Sequence, residues 1–141
     1  MPTMEYSSLS PRAKGVTLDF ANTYAFGFKN LIGLIVPDFF GNHVKGEYWG
    51  SWNYWEMTSY VGILPLVMIL FALARRRNMY TYFFTATAIL SLLLALGKST
   101  PLNPLLYHIL PKYDSFRVPT RFVYIFAFST SVLLGMAMQG L

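Results

Sequence analysis

The stretch Asp114-Ser115-Phe116-Arg117-Val118-Pro119-Thr120-Arg121-Phe122 holds the residue types and spacing that could do chemistry. A proline at the first helical position is preorganised, because its ring fixes φ and its missing N–H would have had no acceptor there. The pattern therefore predicts a helix from Pro119. Val118 then stands in the N-cap slot without a side-chain acceptor, leaving the amides of Thr120 and Arg121 without a local cap. Arg117 and Arg121 flank the positive end of this helix dipole, which disfavours each cation by about 0.3–1 kcal/mol. An anion between them reverses that sign, and a phosphate group matches both bare amides and guanidinium groups. Arg117, Arg121 and Thr120 are accordingly the candidate phosphate or lipid-headgroup ligands. The alternative is that both arginines reach out to membrane headgroups, or pair with Asp114.

Other chemistry is sparse. The acidic residues are Glu5, Asp19, Asp38, Glu47, Glu56 and Asp114, and none stands beside another carboxylate in sequence. Any of them is a formal candidate for a general base, so the catalytic residue stays unassigned. Cysteine is absent, which excludes disulfides and thiolate metal sites. There is no HExxH and no glycine-rich phosphate loop. His108 has no ligand-spaced partner, so no metal site and no cofactor are expected.

These residues sit in a chain of 141 residues, 55% hydrophobic and only 12% charged, with a mean hydropathy of +0.43. Soluble domains carry about twice that share of charge. The chain reads as an integral membrane protein. Its net charge of +5, set among apolar helices, points to anionic lipid or an anionic substrate rather than nucleic acid.

The elements that must position the arginines follow from the hydropathy pattern. Met1 to Asn22 is polar, with a turn at Ser10-Pro11 and no apolar core of a signal peptide near the start. Tyr24 to Val36 is apolar but short, and reads as an interfacial or re-entrant helix ended by Pro37. Asp38 to Glu56 is an aromatic loop carrying Trp49, Trp52 and Trp55, the only tryptophans of the chain. Such residues prefer the headgroup zone. They form either an aromatic belt or a wall facing a sugar or an isoprenoid. Residues 1–56 are thus expected to be one extracytoplasmic segment, and residues 57–141 a transmembrane helical region.

Within that region three spans are predicted: Met57 to Ala74 with a kink at Pro65, Met79 to Leu96, and Pro119 to Leu141. Arg75-Arg76-Arg77 forms a short basic loop and is placed in the cytoplasm. The loop 97–118 is then extracytoplasmic. Within it Leu102, Leu105, Leu106, Ile109 and Leu110 follow the spacing of one helical face, bounded by Pro101 and Pro111. The N-terminus is expected outside and the C-terminus inside. Thr87, Ser91 and Ala95 line one face of the second span, and Ala127, Ser131 and Gly135 one face of the third. Both stripes are expected to be buried in helix packing. The fold class is all-α and polytopic, with about three spans and short interfacial helices.

Several motifs occur in order: Ser8-Leu9-Ser10-Pro11-Arg12, Leu34-Ile35-Val36-Pro37-Asp38-Phe39-Phe40-Gly41, Tyr60-Val61-Gly62-Ile63-Leu64-Pro65-Leu66, Leu94-Ala95-Leu96-Gly97, Thr100-Pro101-Leu102 and Phe116-Arg117-Val118-Pro119-Thr120-Arg121-Phe122. Their succession resembles the YfhO family of bacterial polytopic membrane proteins over nearly the whole chain. The resemblance implies a glycosyltransferase of the GT-C class, which takes a sugar from a polyprenyl-phosphate carrier at the extracytoplasmic face of the cytoplasmic membrane. It also implies further spans and an upstream catalytic loop, so this chain is expected to be an internal section, inactive alone. Its expected partners are membrane lipid, a polyprenyl-phosphate-sugar donor and the remaining spans. The rival class is a non-catalytic membrane subunit or lipid-transport component whose basic residues bind anionic headgroups.

Overall fold

A computed structural model of the chain describes residues 24–75, 77–109 and 118–139. The regular elements among them are all helical. Two 3-10 helices, Phe28–Leu34 and His43–Lys45, precede α1 (Tyr54–Met57), α2 (Ile63–Arg75) and α3 (Met79–Ala95). A 3-10 turn at Gly97–Ser99 leads to α4 (Leu102–Ile109), and another at Pro119–Arg121 runs directly into α5 (Phe122–Met138).

The first expected span does not form as one rod from Met57. Gly62 takes a φ of +97°, a left-handed conformation that glycine adopts freely. The chain breaks over residues 58–62, and α2 begins at Ile63. Pro65 is the third residue of α2. Its missing N–H would have had no acceptor within the first turn, so it helps to open the helix rather than kink it. At the other end of the hairpin, Asn78 Oδ1 accepts from the Thr81 amide at 2.8 Å and from the Thr81 hydroxyl at 2.9 Å, which caps α3. Thr100 closes the far end of α3 by donating to the Leu93 carbonyl at 2.9 Å.

The continuous helix Pro119–Met138 has 20 residues and is long and apolar enough to cross a membrane. α2 has 13 residues and α3 has 17, rising about 20 and 26 Å against a hydrocarbon core of roughly 30 Å. Three long apolar helices are therefore present, and one of them meets the length of a span by itself.

α5 lies between α2 and α3, which scarcely touch each other. Its buried face is Val123, Phe126, Thr130, Leu133 and Ala137, at alternating steps of three and four. α3 meets the bundle with Thr81, Ala88, Ser91 and Ala95. Large side chains of α5 thus fill the space left by small ones of α3. Ser91 and Ala95 are buried as their stripe predicts, with Thr87 half-buried. The stripe on the last helix is a correction: Ser131 and Gly135 are exposed and Ala127 is half-buried. Spacing by four marks a smooth face on a helix, but the larger apolar face of α5 gains more by burial.

The loop end of the bundle is plugged by the segment before α1. Phe26 is fully buried among Leu34, Met57, Ala88, Ala95, Leu96, Val123 and Phe126. Its amide donates to the Ala95 carbonyl at 2.8 Å. The Val61 amide donates to the Leu34 carbonyl at 3.4 Å, and the buried Asn30 amide nitrogen to Met57 Sδ at 3.1 Å. These contacts hold the aromatic loop over the start of α5.

Candidate functional site

The aromatic loop is built around Asp38. Its φ of 51° is unusual for a residue with a side chain, though aspartate tolerates it better than most. The carboxylate accepts from Asn42 Nδ2 at 3.0 Å and from the Tyr54 hydroxyl at 3.1 Å, and its carbonyl accepts from the Gly41 amide at 2.8 Å. A Cβ on Gly41 would meet the Glu47 carbonyl oxygen at 2.1 Å, so only glycine fits this turn. Tyr48 donates to the Ser51 carbonyl at 3.0 Å. Burial, and then the neighbouring Tyr54, push the Tyr48 phenol above its ordinary value. Asp38 is therefore a structural keystone with its oxygens already engaged.

The three tryptophans do not form one wall. Trp49 packs on Phe40 at 5.0 Å and Phe39 at 5.9 Å, and Trp52 meets Tyr24 edge-on at 5.3 Å. Trp55 lies edge-on to Tyr54 at 5.4 Å and to His43 at 6.1 Å. All three rings are more than half exposed. Of them, only Trp55 borders the cavity beside the start of α5.

That cavity has a volume of about 280 Å³. On one side it is lined by Trp55, Glu56, Thr58, Ser59, Tyr60 and Val61, on the other by Thr120, Val123, Tyr124 and Ala127. Its lining mixes polar and apolar side chains on both sides. The Ser59 hydroxyl oxygen is buried without a hydrogen-bond partner.

The helix start at Pro119 forms as predicted, but its groups are used differently. Val118 has no side-chain cap and takes a φ of 69°, a strained conformation for a β-branched residue. The Arg121 amide is not bare, since it donates to the Val118 carbonyl at 3.1 Å. Thr120 is buried and its hydroxyl donates to the Tyr24 carbonyl. That hydroxyl ties two segments together and is not free to donate to a phosphate. Arg117 and Asp114 lie outside the described residues.

Among the described residues, Arg121 is the predicted ligand that stays chemically available. Its guanidinium stands 3.6 Å from Glu56 Oε1, with the two side chains 66% and 28% exposed. An ion pair this open contributes only about 0–1 kcal/mol. Sequence reasoning named Arg121 but left Glu56 among six unranked carboxylates. The one available signal was that Glu56 closes the aromatic loop just before the apolar run. His108 is exposed on α4. Among the described residues no group of three or more His, Asp or Glu is placed to hold a metal ion. Comparison with protein families, with curated proteins and with solved structures finds no match to this chain.

Proposed function

We propose that this chain is a section of a YfhO-like membrane glycosyltransferase of the GT-C class, and that its cavity receives the head of a polyprenyl-phosphate-linked sugar. On this reading α2, α3 and α5 all cross the bacterial cytoplasmic membrane, with the aromatic loop outside and Arg75 and Arg77 inside. The observation that carries the proposal is a cavity whose lining includes Glu56, the ion-pair partner of Arg121. Its lining joins polar Glu56, Thr58, Ser59, Tyr60, Thr120 and Tyr124 to apolar Trp55, Val61, Val123 and Ala127. A phosphate head joined to an isoprenoid tail offers the same mixture of polar and apolar surface. Arg121 supplies fixed positive charge where the carrier phosphate leaves, which is where a transition state for sugar transfer gains most. The acceptor's general base comes from another part of the longer protein, so the section alone is inactive. The apolar surfaces of Leu64, Val67 and Leu70 on α2, and of Phe83, Ile89 and Leu90 on α3, stay exposed. They suit lipid or the remaining spans.

A photoreactive residue in place of Ala127, in a full-length protein containing this section, tests the proposal. It is expected to cross-link to polyprenyl phosphate, and excess polyprenyl-phosphate sugar should abolish the product. Equal competition by phosphatidylglycerol would replace the carrier site with a general anionic-headgroup site, as in a non-catalytic subunit.

A further inference from the structure

Glu56 and Arg121 are brought together by the backbone rather than by each other. Glu56 belongs to α1, which rests against the Pro119–Arg121 turn. The 3.6 Å separation of their charged atoms is within ion-pair reach but longer than a well-made hydrogen bond. Arg121 is mostly in solvent, so the pair breaks at little cost. Ser59 lines the same cavity, and its hydroxyl oxygen is enclosed and unpartnered. A buried hydroxyl in a native fold normally has a partner, and a rotation about the Ser59 side chain would turn this one toward the cavity.

We propose that Glu56 is a resident stand-in for an anionic ligand. The phosphate group of a carrier lipid entering the cavity displaces the Glu56 carboxylate from Arg121. It takes the guanidinium as its own counter-charge and accepts a hydrogen bond from Ser59. The released carboxylate is repelled by the phosphate and turns outward at the rim. An uncharged alcohol of the same shape cannot drive this exchange, so the pair selects a phosphorylated head over a bare one. The inference rests on the carrier-lipid reading of the cavity and adds to it a residue that sets specificity.

The test measures binding of farnesyl phosphate, farnesol and inorganic phosphate to the full-length protein in phosphatidylcholine nanodiscs, which offer no anionic headgroup. Glu56→Gln keeps the shape and removes the competing charge. It is expected to tighten farnesyl phosphate binding about three- to fivefold, the range that a partly exposed ion pair allows, and to leave farnesol unchanged. Arg121→Gln should erase the preference for the phosphate, and Ser59→Ala should weaken farnesyl phosphate alone. Unchanged or weaker binding by Glu56→Gln, together with loss in Arg121→Gln, overturns the stand-in and leaves the carrier site standing. Inorganic phosphate binding as tightly as farnesyl phosphate, with the same response to Glu56→Gln, supports the exchange and overturns the carrier reading. Failure of every variant to bind either phosphate overturns both.

Discussion

The amide of Phe26 donates to the carbonyl of Ala95 at 2.8 Å, and the Phe26 ring is fully buried beneath that bond. One residue thus fastens the segment leading into the aromatic loop to the end of α3. Phe26→Ala should cost about 3–5 kcal/mol, as ring truncations in packed cores do. A thermal unfolding midpoint in detergent close to that of the unaltered protein would contradict this.

Packing between α3 and α5 gives a contrast of two substitutions. Ala95 is fully buried where the helices meet, and Ala95→Leu should destabilise by about 1–3 kcal/mol through overpacking. A Cβ on Gly135 meets nothing within 4 Å, so Gly135→Ala should be neutral or gain up to about 1 kcal/mol of helix propensity. Unfolding midpoints of the two variants, measured side by side, check the order.

Much of this packing could be read from residues alone, and the failures have identifiable causes. The start at Pro119, the α3 run and the short helix at Leu102 were legible because prolines and apolar periodicity mark them directly. The break between α1 and α2 was not. Met57, Tyr60, Val61 and Ile63 keep the hydropathy high across it, while the turn itself depends on the backbone of Gly62. The buried face of α5 was misread because its small-residue stripe and its larger apolar stripe run side by side, and only the partner helix decides between them. The Glu56–Arg121 pair depends on α1 docking against the Pro119 turn, a long-range contact that no local spacing encodes.

Topology is open to direct labelling. Short basic loops are retained in the cytoplasm, so a cysteine near Arg77 and one in the aromatic loop should react from opposite sides. Asn78 caps α3 and should be left intact. Met79 and Val44 are both strongly exposed, which makes Met79→Cys and Val44→Cys the suitable pair. An impermeant thiol reagent added to intact cells should modify only the cysteine at position 44. Modification at position 79 would invert the orientation and move the cavity to the cytoplasmic side.

Arg121→Lys separates a phosphate ligand from a membrane anchor. A planar guanidinium binds phosphate through two donors at once, which an ammonium cannot copy, whereas headgroup anchoring needs only positive charge. Carrier-lipid binding by a full-length protein with this change should fall about tenfold, equivalent to roughly 1.4 kcal/mol, with expression unaltered. Wild-type binding would make Arg121 an anchor.

Tyr48 gives the aromatic loop a pH response. Burial, with Tyr54 adding to it, raises the phenol above its ordinary 10.0, so the folded loop keeps this proton when the unfolded chain would lose it. The stabilisation is complete below pH 10 and is lost as pH rises through the elevated folded value. Tryptophan fluorescence followed across this alkaline range should show the loop loosening. Tyr48→Phe should remove this contribution from the profile.

The central place of α5 has a consequence for how the protein is made. Chain order delivers α2 and α3 first, yet their shared partner is the helix that follows them both. Until α5 follows, the side chains of Thr81, Ser91 and Ala95 on α3 lack the partner that covers them, and α2 and α3 have little to hold them to each other. Closure of the bundle waits for Pro119–Met138 to arrive and wedge between them. A chain stopped before Pro119 would therefore leave α2 and α3 splayed, with the face of α3 that carries Ala88, Ser91 and Ala95 uncovered.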